Sequence, residues 1–481
     1  MAEPATPLTS PVIEGVFSAR YRGLSIGLVL TVTVVAFESL AVSTAMPIVA
    51  RELGGIELYG WVFSAFFLAD LVGIVILGGL IDRAGLVRPL LIGLTLFGLG
   101  LLIGGSAPSM PVLVGARLLQ GFGAGGITPV AYVAIGRALP VELRPKLFAV
   151  LSTAWVVPGI IGPAISSFVT EHASWRLVFL GLLPFVALAA ALTIPAIARA
   201  VPERSTTEAS EAAAAGPPAG APQRRLPWAL LLAGGAGLIV IGLTQASLLP
   251  GVLVFGVGVV AAVPAYRRLT PAGTLQARRG MPAAILLRGI LTFAFFSVDA
   301  YVPLVLIGWR GINATQAGLA LTAATLTWTA GSWVQARYIA RVGSARLVGA
   351  GFVLVLLGIA TLALVLSPQV PVFVATIAWA IAGLGMGLGY APLSLTVLAE
   401  APIDSQGAAT SALQLSDVLG TAVGTGAAGA LIAIAARQDS PQWIGLAAAF
   451  AMGALMGCLG LALAGRLPGG SSKSRVALEA R

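Results

Sequence analysis

The sequence predicts an all-α polytopic membrane protein, two six-helix bundles with an intervening two-helix hairpin, fourteen transmembrane helices in all. Three observations carry this expectation. The chain is 58% hydrophobic and only 10% charged, far from the roughly 25% charged residues of soluble domains. Its apolar residues fall in stretches of about 20, the length a helix needs to cross the hydrocarbon core. The loops between them alternate between arginine-rich and arginine-poor.

In chain order, a polar segment at 1–23 precedes a first bundle at 24–199, with spans at 24–46, 58–79, 88–106, 110–136, 147–168 and 177–198. Because the first apolar stretch is long enough to span, it is expected to act as its own insertion signal. Residues 200–226 are rich in Ala, Pro, Glu, Thr and Ser, cannot bury a core, and read as a flexible cytoplasmic linker. The hairpin follows at 227–266, with spans at 227–246 and 249–266 and no buried charge, which suggests a peripheral structural role. A basic linker at 267–283 leads to the second bundle at 284–466, with spans at 284–306, 314–336, 346–366, 371–397, 408–434 and 443–465, and a tail at 467–481.

With both termini cytoplasmic, the loops at 83–88, 137–146, 199–225, 267–279 and 337–346 and the two ends carry most of the basic residues. The opposite side holds only Arg51, Arg176, Arg310 and Arg437. This satisfies the positive-inside rule and accounts for the net charge of +10 without a nucleic-acid partner. A lone Cys458 excludes an internal disulfide, and a lone His172 excludes a histidine-rich metal site. No cofactor is implied.

Two halves of equal span number suggest parallel repeats about an axis along the membrane normal, with a cavity between them near the midplane. Gly78, Asp82, Arg83, Gly85 and Arg88 follow the second span, and Gly331, Gln335, Arg337, Arg341, Gly343 and Arg346 occupy the matching place in the second half.

Ionisable residues inside a bilayer cost about 2.5 to 3.5 kcal/mol each on insertion scales, so each one asks for a function. Six stand inside spans: Glu38, Asp70, Arg117, Arg288, Asp299 and Asp417. Glu38 and Asp299 fall at similar depth in the first span of each bundle, where they can face one cavity from opposite walls. Desolvation disfavours a carboxylate's charged form and a nearby cation favours it, so such an acid can bind and release protons as its exposure alternates. Arg117 lies in the same half of the membrane as Glu38, and the pair reads either as a proton-coupling device or as a static ion pair that helps packing. Arg288 and Asp299 share a helix face but stand about 16 Å apart at 1.5 Å per residue, and Arg288 can also snorkel to the interface. Asp417, in a glycine-rich span, either lines the cavity or caps a packing contact; Asp70 either lines a path to the cytoplasm or bonds across a helix interface. Trp61, Trp175, Trp309 and Trp443 at outer span ends and Trp228 at an inner one read as interfacial anchors. Trp155 and Trp328 lie deeper and, with Glu38, Gln120, Asp299 and Asp417, are candidates for lining a substrate cavity.

These residues resemble the major facilitator superfamily, in particular its 14-span drug:proton antiporters, over essentially the whole chain between the tails. Gly78, Leu80, Asp82, Arg83 and Gly85 are similar to the signature loop after the second span, although Leu86 and Val87 stand where basic residues are usual and Arg88 follows one later. The resemblance implies a conformational gate at Gly78, Asp82, Arg83, Gly85 and Arg88. Arg117-Leu118-Leu119-Gln120-Gly121-Phe122-Gly123 looks like the fourth-span motif whose arginine is implicated in proton transfer. Gly159, Gly162 and Pro163 resemble the fifth-span antiporter motif typical of exporters, with Pro158, Ser166 and Ser167 in place of usual glycines. Glu38 through Pro47 is similar to the first-helix motif of the 14-span family, with glutamate for the usual aspartate and Ser43 for the usual asparagine.

The resemblance implies the major facilitator fold and a proton-coupled antiporter of a bacterial cytoplasmic (inner) membrane, with Glu38, Arg117 and Asp299 as its proton-coupling residues. Its expected partners are a small-molecule substrate, protons and the lipid bilayer, and it is expected to function as a monomer. Apolar cavity walls with few carboxylates favour amphipathic neutral or cationic molecules such as drugs; export of an endogenous lipid or metabolite is the alternative. An intramembrane enzyme or scaffold finds no zinc-binding histidine set, cysteine nucleophile or glycine-serine elbow to support it. For the signature loop, Asp82→Asn is expected to slow conformational turnover more than it weakens substrate binding. Stopped-flow transport beside equilibrium binding checks this, and unchanged turnover contradicts the gate.

Overall fold

The computed structural model describes residues 15–140, 143–200, 222–245, 247–402 and 405–468. Most of the linker expected at 200–226, most of the 467–481 tail and the first fourteen residues lie outside the described residues. The described chain is helical: α1 (Arg22–Leu53), α2 (Tyr59–Ala84), α3 (Val87–Gly105), α4 (Met110–Ala138), α5 (Arg144–Thr153), α6 (Val156–His172), α7 (Arg176–Leu180), α8 (Leu183–Ala200), α9 (Pro222–Thr244), α10 (Leu248–Leu269), α11 (Met281–Asp299), α12 (Ala314–Val342), α13 (Ser344–Leu364), α14 (Val374–Glu400), α15 (Gln406–Arg437) and α16 (Gln442–Ala464). A π-helical turn at Leu304–Trp309 extends α11.

Among the described residues twelve helices are long and apolar enough to cross a membrane, against the fourteen expected, and each departure has a local cause. The expected fifth span is broken at Ala154–Trp155 into α5 and α6, so neither piece is long enough. Pro158 sits in the first turn of α6, where its missing N–H is tolerated, but in a continuous helix its ring would collide with the carbonyl of Ala154. The other is α12, whose 29 residues suffice in length but include Thr322, Thr325, Thr327, Thr329, Gln335, Arg337 and Arg341.

The two halves pack alike. In the first, α4 lies against α2 and α3, and α1 against α6 and α8; in the second, α14 lies against α12 and α13, and α11 against α15 and α16. Glycines set the closest approaches. A methyl on Gly121 or Gly125 of α4 would strike the carbonyls of Phe66 and Asp70 on α2, and a methyl on Gly383 or Gly387 of α14 would strike those of Ala324 and Trp328 on α12. Gly85 and Gly343 end α2 and α12 with φ of 72° and 83°, a backbone that a side chain rarely tolerates.

The halves join through α2 with α15 and α6 with α12, and the joint is made at the arginine-poor ends. Gly60 meets Gly429, and Ser64 Oγ donates to the Ala422 carbonyl. Ser167 Oγ donates to the Ala314 carbonyl at 2.9 Å, and Thr315 donates to the Glu171 carboxylate through its backbone N at 3.1 Å and its hydroxyl at 3.0 Å. Of the hairpin, α9 packs on both α2 and α15 and so straddles this seam. From α10, the Tyr266 hydroxyl pairs with Ser416 Oγ at 2.7 Å.

A Cβ on Gly429 would lie 2.6 Å from Gly60 Cα and from the Tyr301 hydroxyl. Gly429→Val is therefore expected to hold the seam apart and shift the protein toward opening on the arginine-poor side. Spin labels on Glu57→Cys and Gln438→Cys, in a Cys458→Ser background, should move apart by several ångströms. An unchanged distance contradicts the close approach.

Candidate functional site

Glu38, in the middle of α1, is completely buried, and its carboxylate receives the guanidinium of Arg117 from α4. Arg117 is 2% exposed: Nε donates to the Val62 carbonyl at 3.0 Å, Nη1 donates also to Gln120 Oε1 at 3.1 Å, and the guanidinium lies 4.3 Å from the centroid of the Phe66 ring. Gln120 Nε2 donates to Glu38 Oε1 at 3.3 Å. Glu38 Oε2 has no hydrogen-bond partner. The glycines of α4 explain the geometry, since Gly121 lets that helix approach α2 closely enough for Arg117 to reach the Val62 carbonyl and the Phe66 ring. Burying a charge is tolerable only when it is paired and hydrogen-bonded, and this cluster leaves a single carboxylate oxygen without a partner.

The second half holds a counterpart. Asp299, at the end of α11, accepts from Trp379 Nε1 at 2.7 Å. Trp379 precedes Gly383 and Gly387 by four and eight residues, as Arg117 precedes Gly121 and Gly125, so the two acids meet equivalent positions of α4 and α14. Sequence reasoning did not single out Trp379; that shared spacing is the signal that identifies it. Glu38 and Asp299 are each held by a partner in their own half and are not brought together.

From Trp379 an aromatic wall runs through the second half. Phe295 stacks on Trp379 at 5.1 Å, Trp328 meets Phe295 edge-on at 5.7 Å, and Tyr390 meets Trp328 at 5.4 Å. The Tyr390 hydroxyl donates to Asp417 at 2.7 Å. Arg288 does not snorkel: 5% exposed, it lies over the Tyr390 ring at 3.1 Å, donates to the Tyr390 carbonyl and to Ser394 Oγ at 3.3 Å, and approaches Asp417 at 3.5 Å. Asp417 thus joins a charged and aromatic cluster.

Gly159 of the antiporter motif faces Thr325, and Pro163 faces Gly318, which puts that motif on the seam. Trp155 stands half-exposed at the α5–α6 break. Of the gate residues, Gly78 lies within α2, Gly85 ends it, and Arg83 and Arg88 are exposed; the Asp82 side chain lies outside the described residues. Trp175, expected as an interfacial anchor, is instead 1% exposed and donates to Glu52 at 2.8 Å, with Arg176 paired to the same carboxylate. His172 and Cys458 stay apart from any metal-ligand set, and no group of three or more such ligands occurs among the described residues.

Arg117→Leu strands Glu38 without its cation and is expected to cost about 3 kcal/mol of stability. The double variant Glu38→Gln/Arg117→Leu should recover much of that. Thermal unfolding in detergent measures both, and equal losses in the single and double variants contradict a buried pair.

The chain matches the Major Facilitator Superfamily over residues 24–425. It is 28% identical over 465 residues to the Mycobacterium tuberculosis protein named Probable multidrug-efflux transporter Rv1634, covering 92% of this chain and 94% of that one. It is 24% identical over 423 residues to Multidrug efflux pump SdrM of Staphylococcus aureus, covering 87% of this chain and 91% of that one. In architecture it is similar to a D-xylose-proton symporter, with a TM-score of 0.60, 16% identity and coverage of 95% and 99%, and to the POT family transporter PepTSo, with a TM-score of 0.63, 14% identity and coverage of 92% and 98%. The chain belongs to the Major Facilitator Superfamily and is a multi-pass membrane transporter, not an enzyme.

Proposed function

We propose that the protein is a proton-coupled antiporter that exports amphipathic, drug-like molecules by alternating access. The observation that carries this reading is Glu38, fully buried beside Arg117 with Oε2 unpartnered. Ionised, Glu38 is held by the guanidinium. A proton on Oε2 weakens that pair, and Arg117 then falls back on the Val62 carbonyl, Gln120 and the Phe66 ring. The proton leaves the Arg117 charge facing neutral partners only and so changes the balance of contacts between α1 and α4. Asp299 and Trp379 give the second half an acid in the equivalent place, and the relatives named for multidrug efflux support export of drugs.

In this reading the broken α5–α6 and the polar α12 complete fourteen spans, and the arginine-rich loops, with both termini, face the cytoplasm of a bacterial cell whose inner membrane holds the protein. The seam joined at the arginine-poor ends is then the state closed to the outside. Outward opening loads protons and releases cargo, and inward opening reverses both. Each proton supplies about 2.3 kcal/mol per 100 mV and about 1.4 kcal/mol per pH unit. The substrate cavity is assigned to the space between the halves, toward Trp328, Asp417 and Asp299, and the transport unit to the monomer.

Glu38→Gln keeps the shape of the buried cluster and removes its titration. In liposomes bearing a pH gradient, this variant is expected to lose gradient-driven ethidium transport by tenfold or more while remaining folded and membrane-inserted. Wild-type transport by it would remove Glu38 from the coupling mechanism.

A further inference from the structure

The helix α9 packs on α2 of the first half and on α15 of the second, so when the halves part the hairpin has to leave one of them. Its own two helices are held backbone to backbone. A methyl on Gly235 would lie 2.8 Å from the Ala262 backbone N and 2.9 Å from the Gly258 carbonyl, and one on Gly242 would lie 2.5 Å from the Phe255 backbone N. The hairpin is therefore one body, whichever half it follows.

Toward the second half this body makes polar ties near both ends. Toward the arginine-rich end, the Tyr266 hydroxyl of α10 shares a 2.7 Å hydrogen bond with Ser416 Oγ of α15, and both residues are buried. At the arginine-poor end, Arg437 of α15 donates to the carbonyl of Thr244, the last residue of α9, where the helix dipole and the unsatisfied carbonyls favour a cation. Between the ties, a methyl on Gly426 of α15 would lie 2.7 Å from Val240 Cγ2 of α9. Toward the first half the contact is apolar. Leu71 and Val75 of α2 share a cluster with Ala229 and Leu232 of α9, and a methyl on Gly237 would lie 3.8 Å from Leu68 Cδ1. No hydrogen bond or ion pair joins α2 to the hairpin among the described residues. This junction also has a gap, an apolar groove of about 570 Å³ bordered by Leu68 and Val72 of α2, Leu118 and Phe122 of α4 and Ala233 of α9. In hydrocarbon the two kinds of contact differ in what can replace them. A lipid tail is as apolar as leucine, so α2 can exchange α9 for lipid, whereas no lipid tail replaces the partner of a buried hydroxyl.

We propose that the α9–α10 hairpin is a moving part of the second half: it stays on α15 throughout the cycle, and its junction with α2 is the surface that separates. The first bundle then rocks against the second bundle with the hairpin attached, and opening at the arginine-poor side parts α2 from α15 and from α9 together. The proposal rests on the alternating-access reading above.

The test uses full-length protein in nanodiscs, in a Cys458→Ser background, with spin labels at three exposed positions of the arginine-poor face: Ser106→Cys on the first half, Gln369→Cys on the second and Gln245→Cys at the hairpin tip. The labels are taken two at a time and their distances measured by double electron–electron resonance. The halves are moved by Gly429→Val and, independently, by saturating ethidium, so a Gly429→Val variant that fails to fold leaves the second route. Whichever way the Ser106–Gln369 distance shifts, the Gln245–Ser106 distance is expected to shift with it by several ångströms, while the Gln245–Gln369 distance stays within its original width. Tyr266→Phe combined with Arg437→Gln removes both ties and should broaden the Gln245–Gln369 distribution once the halves have moved. A Gln245–Gln369 distance that shifts as much as the Gln245–Ser106 distance, or more, overturns the proposal and leaves alternating access standing. A distribution kept sharp without either tie overturns it as well, since the ties are its cause. A Ser106–Gln369 distance that shifts under neither condition refutes alternating access itself, and the moving hairpin with it.

Discussion

A charge carried into hydrocarbon must bring its compensation with it, and in this protein Glu38 does so through Arg117. The pair has no solvent to lean on, so its worth depends on the local partners Val62, Gln120 and the Phe66 ring. That requirement fixes much else. Arg117 reaches its partners only because Gly121 and Gly125 let α4 press on the α2 backbone, and any larger residue there would lift the arginine away from its acceptors. One oxygen of Glu38 is left over, and the proposed proton coupling rests on that oxygen.

The same plan occurs twice with different chemistry. Both halves use an acid on the first helix, a partner one turn before a glycine pair on the fourth, and a backbone contact to the second. The first half places a full cation opposite its acid, and the second places the neutral indole of Trp379. The two acids therefore meet partners of different charge although the backbone frame is shared. Between them lies the seam, where Gly60 meets Gly429 and the rings of Tyr59 and Phe63 pack on Tyr301 of the second half.

Much of this was legible in the sequence because hydrocarbon is an unforgiving solvent. Long apolar stretches, arginine placement and the few intramembrane charges each have one dominant physical cause, and Glu38, Arg117 and Asp417 stood out for that reason. The repeat was visible in the paired loops that end at Gly85 and Gly343. Other features depend on three-dimensional neighbours. The break at Ala154–Trp155 lies inside a continuous apolar run and follows from the stereochemistry of Pro158. Trp379 looks like any membrane tryptophan until its spacing to Gly383 is set beside that of Arg117 to Gly121. Trp175 stands at the end of a span, as an anchor would, but the acid of Glu52 draws it inward. Arg288 has a stem long enough to snorkel, and only the Tyr390 ring and carbonyl explain why it stays. The position of α9 across the seam is set by the fold, since no residue pattern in the hairpin encodes which helices it will touch.

Exchange of proton for cargo at buried acids is the centre of this account, and the most direct measurement is proton release from purified protein in weakly buffered detergent solution on addition of ethidium. The account predicts release that saturates with ethidium, shrinks at high pH where the acids are already empty, and is lost at least in part when Glu38 cannot titrate. Saturable ethidium binding with no change in bound protons at any pH would contradict it.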